Sequence, residues 1–368
     1  MHEQESLYAQ HAYGKISKVR FSTSPGTFGD RNTLFATGTW DEQNNNTLKI
    51  WSLEEASISL ENSAPFNNKI VAKTNHKGDV TAMQFIGDIL FTSSSGGDFN
   101  AFKCIQSERE VETDLDFAIE PQIRYNYTLE TIMTHQLHSF SEGRSASATG
   151  IAIRPNSEND PEIVSVGEDG RLILFKLDEH NQFQIVDAAD TSGFKAVAWP
   201  SSDQIITIGI SGQLRLFDRR GPRKPMVFYD PDRPRDSLNC LAVNPSQVSQ
   251  IATGSSEGLV TTWDIRNCSG PLKQVHPHET HVYELIFHPY RPAFLFSCSE
   301  DGTIGVINLN ASSIEGFRDY GMARENVMIH KYNYDYNDLA INSIDYHPLS
   351  KLLIGGGDGQ NLFSMKFD

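Results

Sequence analysis

The sequence predicts an all-β fold, a closed β-propeller of seven blades, and three repeating signals carry that prediction. Short alternating apolar runs end in proline at Arg154-Pro155, Trp199-Pro200, Asn244-Pro245, His288-Pro289 and His347-Pro348, with spacings of 45, 45, 44 and 59 residues. Short strands ending in an aromatic or bulky residue recur at 48–51, 99–102, 172–175, 214–217, 260–263, 304–307 and from Leu362 onward, seven in all. Between these two series lies a small-residue strand followed by a tight turn, as in Val166-Gly167-Glu168-Asp169-Gly170.

Each signal assigns one strand of a unit. The proline-ended run, such as 196–199 or 283–287, buries one face and stops where proline fixes φ in the following turn; it is strand a. The small-residue strand is b, and Asp-Gly in the turn after it permits positive φ between two paired strands. The aromatic-ended strand is c. Its last residues Trp51, Phe102, Phe175, Phe217, Trp263 and Ile307 lie 51, 73, 42, 46 and 44 apart, and the seventh follows 57 or 58 further on. Four-stranded blades of the WD type repeat every ~40–45 residues, so the short intervals fit and the long ones predict inserted loops. The less regular segment before the next unit supplies strand d.

The chain stops at Asp368 directly after the seventh strand c, which leaves that blade lacking its outer strand. Residues 6–13 precede the first strand a, 15–21, and have no blade of their own. They are predicted to complete the last blade, because closing the ring removes an edge that invites aggregation. Residues 1–368 then read as a single propeller with insertions at about 105–147 and 310–337. Within the first, the Ser- and His-rich stretch 134–147 is expected to be a mobile loop. The second carries Tyr320, Tyr332, Tyr334 and Tyr336. These suit a partner contact, since tyrosine buries area while keeping a hydrogen-bonding tip, or they belong to strand d.

Composition narrows the function classes. The formal net charge is -16, which repels phosphate backbones and argues against direct nucleic-acid binding. No stretch approaches the ~18 continuous apolar residues of a membrane helix, so membrane insertion is not expected. The first ten residues are polar and acidic rather than basic and then apolar, so a cytoplasmic or nuclear address is expected. Cys104, Cys240, Cys268 and Cys298 are far apart and have no matching His spacing, which reads as small buried side chains rather than a zinc site or a disulfide framework.

Recurring His, Ser and Asp imitate a hydrolase triad until their spacing is considered. His76 and His278 each stand four residues before the first valine of a strand a, Val80 and Val282. In the sixth unit Ser297 or Ser299 and then Asp301 follow, and Asp169 takes the same turn position in the third. A set that recurs by repeat satisfies buried polar groups and stiffens turns, whereas a nucleophile is needed once. Trp51, His76, Asp169, Trp263, His278, Ser299 and Asp301 are therefore assigned to blade structure, and no catalytic, cofactor or metal residue is assigned. The set is complete in no unit: Ile307 replaces the aromatic in the sixth, and Gly96 and Ser211 stand where Asp is expected. Gly355-Gly356-Gly357-Asp358-Gly359 lacks the Lys-Ser/Thr and the helix of a phosphate loop, so it reads as the turn between strands b and c, explained by glycine's backbone freedom. The one dense basic run, Arg219-Arg220-Gly221-Pro222-Arg223-Lys224, reads as a solvated loop, with a localisation signal or an acidic partner as the alternatives.

With these residues placed, the chain resembles the family of forty-three-kilodalton WD-repeat nucleoporins along nearly its whole length. The matching segments are Lys15-Ile16-Ser17-Lys18, Phe35-Ala36-Thr37-Gly38-Thr39-Trp40-Asp41, His76-Lys77-Gly78-Asp79-Val80, Val166-Gly167-Glu168-Asp169-Gly170-Arg171 and Ser297-Cys298-Ser299-Glu300-Asp301-Gly302. The Asp-Gly segments are generic to WD repeats; the first two mark an unusual first blade. The resemblance implies a non-catalytic subunit of the Y-shaped scaffold of the nuclear pore complex, at the nuclear envelope, docked onto an α-solenoid nucleoporin beside other subunits of that complex. It also implies a part in nucleocytoplasmic transport, mRNA included, and a station at kinetochores in mitosis. It implies no cofactor and carries over no binding residue.

A second reading is a substrate receptor of a cullin-based ubiquitin ligase. Such receptors resemble this chain in a Trp-Asp-x-Arg element closing strand c, present as Trp263-Asp264-Ile265-Arg266 and, with Phe, as Phe217-Asp218-Arg219-Arg220. Its arginine would pair bidentately with a carboxylate of the ligase adaptor. Phe217, Asp218, Arg220, Trp263, Asp264, Arg266, Tyr332, Tyr334 and Tyr336 are thus the candidate partner-binding residues. An enzyme, and recognition of a peptide or a modified histone at the central opening, are the remaining classes.

Overall fold

A computed structural model describes residues 7–23, 33–42, 45–55, 66–111, 122–157, 161–176, 183–187, 192–221, 224–267, 269–310, 328–333 and 338–367. They form seven four-stranded antiparallel sheets. The innermost strands, a, are Ile16–Phe21, Val80–Ile86, Ala148–Ile153, Phe194–Ser201, Leu238–Val243, Val282–Phe287 and Ile341–His347. Each packs beside strand a of both neighbours, and Ile341–His347 packs beside Ile16–Phe21, so the ring is closed. Closure occurs as expected: Leu7–His11 pairs antiparallel with Asn361–Lys366, setting Leu7 opposite Met365.

Seven apolar clusters, each bridging two adjacent blades, hold the described residues together. Alternation along strands b and c produces them, since a strand between two neighbours sends successive side chains to opposite interfaces. Phe35 and Trp51, paired across strands b and c of blade one, stack at 6.0 Å against Leu352, Ile354 and Leu362 of blade seven. Val164, Val166, Leu172 and Leu174 of blade three meet Phe194, Val197 and Trp199 of blade four in the same manner. Strand c residues Trp51, Phe102, Phe175, Phe217, Trp263, Ile307 and Met365 all lie opposite a buried apolar residue of strand b, which fixes the seventh member of that series at Met365. Truncating a buried tryptophan at such a position costs about 3–5 kcal/mol.

Two sequence expectations are corrected. Residues 134–147 are not loop throughout: strand d of blade two runs over Gln122–Gln136 and His138 is fully buried, while 139–147 form the connecting turn. A paired hairpin, Asp98–Val111 with Gln122–Gln136, fills most of the expected insertion. The glycines of blade seven also act differently from expectation, because Gly355 to Gly357 belong to strand b, Leu352–Gly357, rather than to the turn. Their requirement is space. A Cβ on Gly355 would run into the Phe363 ring, one on Gly356 would sit 2.5 Å from Ile16 Cδ1, and one on Gly357 would overlap the Ala340 carbonyl. Positive φ in that turn falls on Gln360, whereas in blades three and six it falls on Gly170 and Gly302 as the Asp-Gly signal requires.

Candidate interaction surfaces

The repeated polar residues meet inside the blades. In blade three His138 Nδ1 lies 2.8 Å from Asp169 Oδ1 and Nε2 lies 2.9 Å from Ser165 Oγ. In blade six His278 reaches Asp301 Oδ2 at 3.3 Å and Ser297 Oγ at 2.7 Å. The serine partner is thus Ser297; Ser299 instead accepts the Asp301 amide at 3.1 Å and shapes the turn. In blade two His76 bonds the Thr92 hydroxyl and the Gly78 carbonyl, both at 2.9 Å, while no carboxylate replaces Gly96. The two tryptophans use the same strand b position, Trp51 Nε1 donating to Thr37 at 2.9 Å and Trp263 Nε1 to Thr253 at 2.8 Å.

One hydroxyl position therefore serves either a histidine or a tryptophan, and each set is consumed by internal bonds. Burial pushes the Asp169 carboxyl up, but the hydrogen bonds and charge of His138 and the Arg171 and Ser139 amides hold it below its ordinary range. Asp301 is likewise held well below that range: burial opposes ionisation, and bonds from His278 and Thr303 outweigh it. These carboxylates sit at the heads of buried hydrogen-bond chains, where they stiffen the strand b to c turn. Among the described residues no three His, Cys, Asp or Glu side chains converge as a metal site. Cys104, Cys240 and Cys298 are buried free thiols, pushed up by burial, and Cys268 lies outside the described residues.

The Trp-Asp-x-Arg elements are split between core and surface. Phe217 and Trp263 are buried in the inter-blade clusters. Arg266 Nη2 folds back on Asp264 Oδ2 at 2.6 Å, and Arg220 Nε lies 3.4 Å from Asp218 Oδ1. Each exposed guanidinium already has a carboxylate, which an adaptor would have to displace. In the basic run Arg219 is used structurally, its two terminal nitrogens each 2.9 Å from the carboxylate of buried Glu162 on blade three. Tyr332 lies in strand d of blade six, Met328–Asn333, half-buried against the cluster shared with blade seven, which is the strand d reading. Tyr320, Tyr334 and Tyr336 lie outside the described residues.

Sequence reasoning missed a polar network on the innermost strands. Arg20 of blade one forms an ion pair with buried Glu284 of blade six, and Glu284 also accepts from Ser343 Oγ at 2.6 Å and the Ile344 amide at 3.1 Å in blade seven. Lys18 Nζ stands 3.8 Å away. Burial opposes ionisation of Glu284, yet Arg20 and Lys18 bring its carboxyl down to about 2; Asp345, half-buried and holding the Phe21 amide at 2.6 Å, is pushed up to about 6 by its desolvation. Three blades are tied across the ring's closure. A charged residue in an otherwise apolar strand a, Tyr283-Glu284-Leu285-Ile286, was the available signal. A second tie lies outside it, where buried Lys49 Nζ donates to the Ala12 and Tyr13 carbonyls at 2.6 and 2.9 Å.

Exposed apolar side chains are grouped by face. Val248, Tyr290 and Leu349 stand on the turns after strand a of blades five, six and seven, with Leu272 beside them at the start of strand d of blade five. Met226, Val227 and Tyr229 line the outer strand of blade four, Met226–Tyr229.

Comparison with known proteins agrees with this geometry. The family description "WD domain, G-beta repeat" matches residues 269–308, which span strand d of blade five and strands a to c of blade six. The mouse and human proteins named Nucleoporin Nup43 are each 31% identical over 82% of this chain and 75% of their own length. Nuclear pore complex protein NUP43 of Arabidopsis thaliana is 23% identical over 77% of this chain and 81% of its own. With the seven sheets closed on themselves and identity extending over four-fifths of the sequence, the chain belongs to the Nup43 family of WD-repeat nucleoporins.

Proposed function

We propose that the chain is a non-catalytic structural subunit of the nuclear pore scaffold, residues 1–368 acting as one closed ring that docks onto an α-solenoid nucleoporin of the Y-shaped complex. The observation that carries this reading is identity to proteins named Nucleoporin Nup43 over 82% of the chain, rather than over one generic repeat. A pore address has the same support, since relatives in mouse, human, Dictyostelium and Arabidopsis all bear nucleoporin or nuclear pore complex names. A non-catalytic role is supported by the spent chemistry of the blades: His138, Asp169, Ser165, His278, Asp301 and Ser297 are bonded to one another. The ring offers rigid faces instead, fixed by seven shared apolar interfaces among the described residues. In dividing cells the same subunit accompanies its complex to kinetochores.

Affinity purification of the tagged chain from interphase and mitotic cells tests this. Pore-scaffold subunits in equal amounts, including an α-solenoid subunit, are expected from both. Recovery of a ligase adaptor and cullin without pore subunits would refute the assignment.

A further inference from the structure

Every strand a is interrupted at the same place. Its first residue pairs with strand b, the next is skipped by the register, and pairing resumes one residue later in all seven blades. A bulge re-aims the side chain of the extra residue, so a bulge repeated at one level is a built feature. Strands a neighbour one another around the axis, which sets the skipped residues in a circle at the central opening, each of them half-buried.

Four members of the circle are spent on backbone carbonyls. Thr81 Oγ1 donates to the Ala148 carbonyl, Thr149 Oγ1 to that of Phe194 at 2.9 Å, and Asn342 Nδ2 to that of Ile16 at 2.9 Å, each bonding the first residue of the next blade's strand a. Ser17 Oγ donates within its own blade, to the Gly38 carbonyl at 3.1 Å.

The other three stand side by side in blades four, five and six: Lys195, Asn239 and Tyr283. Among the described residues the Lys195 ammonium and the Tyr283 hydroxyl have no hydrogen-bond partner, and Asn239 Nδ2 is buried with none. Burial and the Glu300 and Asp358 carboxylates push the Tyr283 phenol up to about 12, so it remains a donor. An unmet buried donor is costly, and the soft χ2 torsion of Asn239 lets its amide turn to the opening.

Three adjacent donors call for an acceptor, and the charge around them sets its kind. One ammonium balances one negative charge. The carboxylates that act on Tyr283 are engaged: Asp358 Oδ1 accepts from Trp40 Nε1 at 3.1 Å and from Asn342 Nδ2 at 2.7 Å, and Glu300 lies 3.8 Å from His281. One residue along the strand from Tyr283, Glu284 is held by Arg20 and Ser343. A phosphoryl dianion would keep an unbalanced charge beside these acids, and a nucleic-acid backbone would meet the net charge of -16.

We propose that Lys195, Asn239 and Tyr283 form a binding subsite for a single carboxylate, carried by a protein segment that lies over the central opening. Lys195 supplies the charge, and Asn239 and Tyr283 the directed bonds. The subsite is independent of the docking role proposed above, and either can fail without the other.

The test titrates the full chain with two peptides, read by saturation-transfer NMR. Acetyl-Gly-Glu-Gly-amide offers a side-chain carboxylate and acetyl-Gly-Gly-Gly a chain end; acetyl-Gly-Gln-Gly-amide keeps the shape of the first without its charge. Saturable binding of a carboxylate peptide is expected, the tighter of the two naming the source, with the glutamine peptide at least about tenfold weaker. K195M should weaken the tighter peptide about tenfold and Y283F, which keeps the ring, about threefold to fivefold. K195T/N239T gives blades four and five the residue that blades two and three spend on a neighbour's carbonyl, so it should melt no lower than the unaltered chain and lose binding. Should that double variant melt early, K195M and Y283F decide the matter. Equal binding of the glutamine peptide, undiminished binding by K195M and Y283F, or inorganic phosphate binding more tightly than both carboxylate peptides would overturn the assignment. So would the absence of saturable binding by either carboxylate peptide.

Discussion

Replacing Arg20 by methionine removes the cation that ties blade one to blade six and leaves Glu284 buried among Ser343, Ile344 and a more distant Lys18. The structure gives a magnitude. Glu284 is brought from an ordinary 4.5 down to about 2, which corresponds to roughly 3 kcal/mol of preference for the ionised form. Stranding a buried charge by deleting its partner costs about 3–5 kcal/mol, in agreement. With an unfolding entropy of ~2 cal/mol/K per residue, such a loss lowers the melting temperature of a chain this size by roughly 4–6 °C. The R20M/E284M double variant removes both charges and should recover most of the loss, because an apolar pair of similar volume replaces a buried ion pair at little cost. The assay is a double-mutant cycle read by thermal and urea unfolding at pH 7. The pH dependence follows from the sign of each shift. The depressed Glu284 contributes stability that is fully present above about pH 4.5 and is lost as pH falls toward 2. The raised Asp345 contributes stability that is present below its ordinary 3.8 and is lost as pH rises through about 6. Acidifying from pH 7 to 5 therefore adds stability at Asp345 and removes it at His76, His288 and His347, whose burial holds them below their ordinary value; D345N should lose stability more steeply over that range than the unaltered chain. An R20M variant that melts with the unaltered chain at pH 7 would refute the account of the network.

Other expectations follow from single contacts. Deleting residues 1–13 removes the outer strand of blade seven and the carbonyls held by Lys49, and calorimetry should show a lower melting temperature; an unchanged curve would contradict closure by that segment. Replacing Gly355 by alanine forces a Cβ into the Phe363 ring and should destabilise by about 1–3 kcal/mol in urea unfolding, more than the same change at Gly221, whose Cβ would meet nothing closer than 3.6 Å. His278→Ala strips partners from Ser297 and Asp301 and should cost about 2 kcal/mol, measured the same way, with the strongest loss of amide protection in blade six. Substituting Arg220 and Arg266 together breaks only exposed pairs, so stability should change by less than about 1 kcal/mol; capture of a ligase adaptor that survives the change would dismiss that use of the elements.

The architecture was legible because a propeller writes its period into the chain. Proline turns, small-residue strands and aromatic strand ends each mark one strand, and the ring that forms has its strands a and c where those signals stand. The unfinished seventh blade made Leu7–His11 legible too, since an outer strand had to come from somewhere. What escaped was what depends on contact across blades. His138 lay in a stretch whose composition reads as a loop, yet its partners Asp169 and Ser165, far along the chain, bury it. Ser297 and Ser299 share one face of strand b, and position along the strand decides between them: Ser297 meets His278, while Ser299, at the strand's end, takes the Asp301 amide of the turn. The glycines of blade seven showed freedom to a reader of the sequence, while Phe363, Ile16 and Ala340 demand their smallness. Arg20 and Glu284 are more than two hundred and sixty residues apart, beyond the reach of any local pattern.

Because the strand that seals the ring, Leu7–His11, meets its partner Asn361–Lys366 only at the far end of the chain, a ribosome delivers the two halves of that pairing at opposite ends of translation. At about 5–20 residues per second, something between roughly 20 and 70 s separates their appearance. Throughout that time the first blade holds Phe35 and Trp51 ready for neighbours that do not yet exist, and its apolar face must be sheltered by chaperones or by transient collapse. Nascent chains stalled before residue 352 would keep that face uncovered, which makes them natural clients for quality control and gives the cell a way to sort complete rings from incomplete ones before assembly.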